Sequence, residues 1–412
     1  MSSPQNDSIL LLNILGQDRI GLSSDLYSVI KTFNVRILDI GQSVIHDQVS
    51  QGMMLAVPNQ DKTASAKLIE KAESLGLKLK VREISQTEYQ EWVSQQGQDR
   101  YTLSLLTREV SAEEIARVTA VTSEQGLNIH DIVRLSGRLP LGQPVSNATK
   151  SCIEFALQGQ PNDVETMRAS FLSIASELDI DIAIQKDDAY RRSRRLVCFD
   201  MDSTLIEAEV IDELAKRAGV GDQVSQITEQ AMQGKIDFTE SFTQRMALLE
   251  GLSEEVLRDI AENLPIMEGA ETLIHNLKAY GFKTAILSGG FSYFGHYLQE
   301  KLGIDHVHAN ILEIVNGKLT GRVIHPVVDG NRKALLLRQI AENEGLSPQQ
   351  VIAVGDGAND LPMLSVAGLG IAFRAKPLVR ESAKQSMSTH GLDGILYLLG
   401  FKENDIVRLL LR

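Results

Sequence analysis

LVCFDMDSTLIEAE, residues 196–209, decides how the second half of the chain folds. Leu196-Val197-Cys198-Phe199 is an unbroken apolar run that ends in Asp200, Met201, Asp202, Ser203 and Thr204. A short apolar run followed by turn-forming residues reads as a buried strand stopping at a loop. Side chains at i and i+2 of an extended chain point the same way, so Asp200 and Asp202 face a common space. At about 4 Å two like charges repel by about 1 kcal/mol in water and by about 4 kcal/mol at an effective dielectric of 20. Something beside them must offset that repulsion.

Working outward, two more apolar runs end in small or polar residues: KTAILSGG (283–290) and VIAVGDGAND (351–360). Lys333 lies between them at the start of a helical stretch, Lys333–Glu344. Strands of this kind separated by helices predict an α/β, Rossmann-like core built on a parallel sheet. From Glu209 to about Leu277 only helical periods occur, with Phe238, Phe242, Met246 and Leu249 on one stripe. A helical cap inserted there would sit over the carboxyl ends of the strands, where ligands of open α/β sheets bind. Asp200, Asp202, Asp356 and Asp360 supply hard oxygen ligands without His or Cys, a set that suits Mg²⁺ better than zinc. Ser288, the amides around Gly289 and Lys333 suit a dianion such as phosphate. A metal, an anion cradle and a free carboxylate point to phosphoryl transfer through an aspartyl-phosphate.

DMDST, the strand end at Ser288, Lys333 and GDGAND, in that order, resemble the four motifs of the haloacid dehalogenase superfamily. LSGGF (287–291) and FRAKP (373–377) bring the resemblance closest to members that act on phosphorylated amino acids. The resemblance implies that Asp200 attacks phosphorus and that Asp202 protonates the leaving oxygen, then activates water. It implies Mg²⁺ held by Asp200, the backbone carbonyl of Asp202, and Asp356, with Asn359 and Asp360 orienting phosphate or metal-bound water. For O-phospho-L-serine it implies Glu209 for the ammonium, Arg245 for the carboxylate, and apolar contacts from Met232 and Phe238. Two other readings stay open: transfer of the phosphoryl group to another alcohol such as homoserine, and a chain that is mainly an amino-acid sensor.

The first half repeats a strand–helix–strand–strand–helix–strand order, once over residues 1–90 and again over 98–187, ahead of a hydrolase segment at 194–412 with its cap at about 209–277. These two α+β, ferredoxin-like units resemble ACT domains. Gly16-Gln17-Asp18-Arg19-Ile20-Gly21-Leu22 matches the ligand loop of that family, whereas Thr107-Arg108-Glu109-Val110-Ser111 has no glycine. The resemblance implies a homodimer, with serine as the candidate effector of the first unit. The net charge of −13 argues against a general nucleic-acid binder. The Arg191–Arg195 cluster could grip a polyanion but reads better as a solvated linker or strand flank. Cys152 and Cys198 read as buried thiols in a reducing compartment. The first residues, MSSPQNDS, lack a signal-peptide pattern and no 18-residue apolar run occurs, so a cytoplasmic protein without membrane contact is expected.

Overall fold

The computed structural model describes residues 7–58, 64–142, 144–146, 149–233 and 235–410. The chain divides into two compact units, Met1–Gln98 and Asp99–Arg412.

In the first unit a four-stranded antiparallel sheet runs in the order Arg36–Ile45, Gln48–Pro58, Asp7–Gln17, Lys78–Ile84. Alternation along Leu10, Leu12 and Ile14 puts one face of that sheet inward. Helices Leu22–Ile30 and Ala64–Ser74 cover this face with Leu22, Leu26, Ile30, Leu68 and Ala72. A helix that the hydrophobic pattern does not reveal, Gln86–Ser94, follows the last strand. Its start is fixed by a reciprocal cap: Glu88 N–H donates to Ser85 Oγ and Ser85 N–H to the Glu88 carboxylate.

The second unit opens with a sheet of the same topology, ordered Asn128–Arg134, Ser151–Gln158, Arg100–Thr107, Asp181–Lys186. It continues into a six-stranded sheet, ordered His306–Asn310, Lys283–Phe291, Leu196–Phe199, Val351–Gly355, Leu369–Phe373, Gln385–Met387, with every pair parallel. Its central strands are apolar on both faces, as a sheet covered on both sides requires. Val197, Phe199, Ile352 and Val354 enter one core, while Leu196, Cys198, Val351 and Ala353 enter another under helix Gly330–Asn343.

Within this unit the antiparallel sheet is welded to the parallel one. Leu106, Leu135, Cys152 and Ala183 belong to the same core as Phe199. The Asp181 carboxylate accepts the N–H groups of Ser388 at 2.6 Å and Thr389 at 3.0 Å, and His390 Nδ1 lies 3.3 Å from it. The weld corrects one part of the expectation of a solvated arginine linker or strand flank: the arginines do flank the Leu196–Phe199 strand, but two of them are packed into the junction and not solvated. Arg194 is only 5% exposed and donates to Gln185 Oε1, and Arg191 pairs with Glu154 at 2.9 Å.

Helices Val210–Ala218, Gly221–Met232, Phe238–Ala247 and Glu254–Glu262 form an insertion after the Leu196–Phe199 strand. The two segments joining it to the sheet lie side by side: Glu207 N–H donates to Pro265 O and Met267 N–H to Leu205 O. A hairpin absent from the sequence reading, Leu312–Val315 with Lys318–Val323, braces the insertion through bonds between Leu319 and both Gly251 and Leu252. Both cysteines are buried and unbridged. Among the described residues no helix is long and apolar enough to cross a membrane.

Candidate active site

Asp200 ends the central strand, and its own N–H donates to Val354 O on the neighbouring strand. Its Oδ1 accepts the Met201 N–H at 2.7 Å and lies 2.9 Å from Lys333 Nζ. A tight turn follows, with the Leu205 and Ile206 N–H groups both directed to Met201 O and Ser203 at φ 56°. The turn brings Asp202 back beside Asp200. Gly290 packs against Asp202: a Cβ on that residue would stand 2.6 Å from Asp202 Oδ2 and 2.8 Å from Met201 Cε, so a glycine there lets the strand end approach.

Burial, then the charges of Glu209 and Asp200, raise the Asp202 carboxyl well above the usual carboxylate range, against the Val210 N–H that it accepts. Asp356, half-buried beneath Thr204 Oγ1 at 3.2 Å, is pushed up to about 7 by burial and by Asp200 and Glu209. Burial also raises Asp360, against the pull of Lys333. Oxygens of Asp200, Asp356 and Asp360 lie within 4.8 Å of one another. Three hard-oxygen donors this close, with the Asp200 charge raising both Asp356 and Asp360, fit a divalent cation, which relieves the repulsion. Both Asp360 oxygens are engaged, Oδ1 by Lys333 at 2.7 Å and Oδ2 by the Gly357 N–H at 2.9 Å. The Lys333 and Met201 contacts of Asp200 both fall on Oδ1, so Asp200 Oδ2 and Asp356 are the freer donors.

Lys333 is fully buried on the first turn of its helix, between Asp200 and Asp360. Burial opposes its charge, but the two carboxylates outweigh burial and raise its pKa. Ser288 is buried and its Oγ accepts the Gly290 N–H at 2.9 Å. Asn310, which the sequence reading missed, ties this loop to the Lys333 helix. Its Nδ2 donates to Gly289 O at 2.8 Å, and its Oδ1 accepts the Val328 N–H at 2.8 Å.

A cavity of about 590 Å³ opens above these strand ends. Asp200, Asp202, Ser288, Gly289, Asp356 and Asn359 form its floor, and Glu209, Phe238 and Arg245 line it from the insertion. The Phe238 and Phe242 rings stack with centroids 6.1 Å apart. Glu209 is exposed at the mouth, accepts from Ser203 Oγ at 2.8 Å, and has its carboxyl raised by desolvation. It precedes helix Val210–Ala218 without capping it, so its carboxylate is directed to the site and not to the helix. Arg245 is half-buried and has no carboxylate within salt-bridge distance among the described residues; burial lowers its pKa while Asp212 and Glu209 oppose the shift. Lys376, from the FRAKP stretch, also lines the cavity, though the sequence reading gave it no role. Met232 closes its helix, and its side chain lies outside the described residues.

A parallel sheet with paired aspartates at a strand end, a buried lysine and a helical cap defines a haloacid dehalogenase-like hydrolase. Residues 194–368 match the model of that family, and residues 8–82 match the ACT domain. The chain is 37% identical to the phosphoserine phosphatase of Streptomyces coelicolor over 408 residues, 98% of this chain and 96% of that one. It is 37% identical to that of Mycobacterium tuberculosis over 398 residues, 96% and 94% of the two chains. The unliganded crystal structure of a probable phosphoserine phosphatase from Vibrio cholerae matches with a TM-score of 0.58 at 33% identity, covering 75% of this chain and 88% of that one. A hydrolase of the haloacid dehalogenase family from Salmonella enterica serovar Typhi matches with a TM-score of 0.62 at 30% identity, covering 73% and 98%. The chain belongs to the phosphoserine phosphatase family of haloacid dehalogenase-like hydrolases.

Proposed function

We propose that the chain hydrolyses O-phospho-L-serine to L-serine and phosphate through an aspartyl-phosphate on Asp200. The observation that carries this reading is one cavity holding four matched groups: Asp200, the Ser288 loop, the Glu209 carboxylate and the Arg245 guanidinium, which has no carboxylate partner among the described residues. These complement a phosphoryl group, an ammonium and a carboxylate. The names of relatives that span nearly the whole chain agree with it.

In the first step Asp200 attacks phosphorus while the bond to the serine oxygen breaks, and Asp202 passes its proton to that oxygen. Asp202 can hold a proton at neutral pH because its carboxyl is raised. In the second step Asp202, now a carboxylate, takes a proton from water. The water oxygen attacks phosphorus, the acyl-phosphate bond breaks, and Asp200 is restored. Lys333 steadies the charge on Asp200 throughout, and Ser288 with the neighbouring amides holds the phosphoryl oxygens. Asp200, Asp356 and the Asp202 main-chain carbonyl would hold a Mg²⁺, whose charge offsets the carboxylates and stabilises the phosphoryl oxygens. Proton transfer contributes about 10²- to 10⁴-fold. Monoester hydrolysis requires accelerations of up to about 10²¹, so fixed charge must supply much of the remainder.

Residues 1–90 and 98–187 are read as ACT-like units and 194–412 as the catalytic segment, capped from 209 to about 277. The ACT-like units are proposed to pair two copies in a homodimer, and the first to bind an amino-acid effector, with serine the candidate.

Phosphate release from a panel of phosphoamino acids and an aryl phosphate, with Mg²⁺ and after chelation, tests the reading. Phosphoserine should be the fastest substrate, with release lost on chelation and restored by Mg²⁺. Equal rates across the panel, or homoserine phosphate formed when homoserine is added, would overturn it.

A further inference from the structure

Ser241 lines the active-site cavity, is 1% exposed, and its Oγ has no hydrogen-bond partner among the described residues. Several helical hydroxyls elsewhere in this chain bond back to the carbonyl four residues earlier. Thr119 does so to Ile115, Ser170 to Thr166, Thr228 to Val224, and Thr243, on the same helix as Ser241, to Thr239. Ser241 declines that bond. A buried hydroxyl left without a partner is unfavourable, which marks the position as waiting for a ligand atom.

The neighbour on the same helix face says which atom. Residues four apart on a helix lie one above the other, and four residues after Ser241 stands Arg245. Arg245 Nε–H donates to the Ser241 carbonyl oxygen at 3.3 Å. That contact ties up one edge of the guanidinium and leaves the Nη1/Nη2 edge for a ligand, the edge that grips a carboxylate with two parallel bonds.

We propose that the Ser241 hydroxyl is a second donor to the carboxylate that Arg245 holds. Recognition of the α-carboxylate is then a three-donor clamp on one helix face, and it selects phosphorylated amino acids over phosphorylated amines of the same size. This rests on the proposed hydrolysis of phosphoserine.

The test compares the wild type with Ser241→Ala. Phosphoserine is followed by turnover, and phosphoethanolamine, which lacks the carboxylate, by competitive inhibition of that turnover. In Ser241→Ala the KM for phosphoserine rises about tenfold, the size expected for one hydrogen bond to a charged group. The phosphoethanolamine inhibition constant moves less than about twofold. On an Arg245→Ala background the same change has a much smaller effect, because both groups act on one carboxylate. The melting temperature of the free enzyme does not fall, since no protein bond is lost. Equal losses for both ligands, full additivity with Arg245→Ala, or a lowered melting temperature would each overturn the assignment. A wild type that does not turn over phosphoserine would instead defeat the functional reading beneath it.

Discussion

Lys333 Nζ lies 2.9 Å from Asp200 Oδ1, with the lysine wholly buried and the aspartate nearly so. The same ammonium lies 2.7 Å from Asp360 Oδ1. One buried cation therefore serves two buried anions, and the proposed nucleophile is among them. Removing one partner of a buried ion pair costs about 3–5 kcal/mol because a charge is stranded.

Lys333→Met should therefore lose both stability and activity. Its unfolding free energy at pH 7 falls by about 3 kcal/mol or more, and turnover falls by at least about 10²-fold. The pH response separates the causes. Asp360 is already raised in the wild type, and without the ammonium it rises further. A carboxyl raised in the folded state loses stability as pH climbs through its folded pKa, so the variant should recover stability in acid. Chemical denaturation at several pH values measures this. Asp200→Asn, by contrast, should fold normally and lose turnover.

Asn310 supports the anion cradle without lining the cavity. Asn310→Ala removes the donor to Gly289 O and leaves the Val328 N–H unpaired, a loss of about 1–3 kcal/mol in stability. The Ser288 loop and the Lys333 helix also lose their shared brace, so kcat should fall by about tenfold or more with a smaller change in KM. Steady-state kinetics beside a melting curve checks both.

Asp181 joins the second antiparallel sheet to the segment after the last parallel strand, accepting two backbone N–H groups there. Asp181→Ala should destabilise the protein by about 2 kcal/mol or more, while an aspartate outside this junction such as Asp222 should tolerate alanine. Denaturant titrations of the two variants make the comparison.

The parallel core was legible because its strands are apolar on both faces and end in chemically loaded turns, DMDST and GDGAND. Asp200, Asp202, Asp356 and Asp360 could be named from those turns, Ser288 from the strand end SGG and Lys333 from its place between the motifs, and the structure brings them together. Asn310 could not, because its bonds to Gly289 and Val328 exist only once distant segments meet. Ser241 looks like any helical serine until its missing back-bond is seen. The hairpin at 312–323 did carry a signal: Asn316 and Gly317 both adopt positive φ, the pattern of a two-residue hairpin turn. Ser85 and Glu88 likewise announce the helix they cap, but that helix buries no residue, so hydrophobic periodicity passed over it. In the basic run at 191–195, the packing of Arg191 and Arg194 was not legible because their partners, Glu154 and Gln185, lie in another sheet.

Rapid-quench labelling with phosphorus-labelled phosphoserine addresses the central claim most directly. Within the first turnover, acid-quenched enzyme should carry label that hydroxylamine releases, mapping to the peptide holding Asp200 and absent from Asp200→Asn. Turnover at full rate with no label ever bound to that peptide would contradict the account.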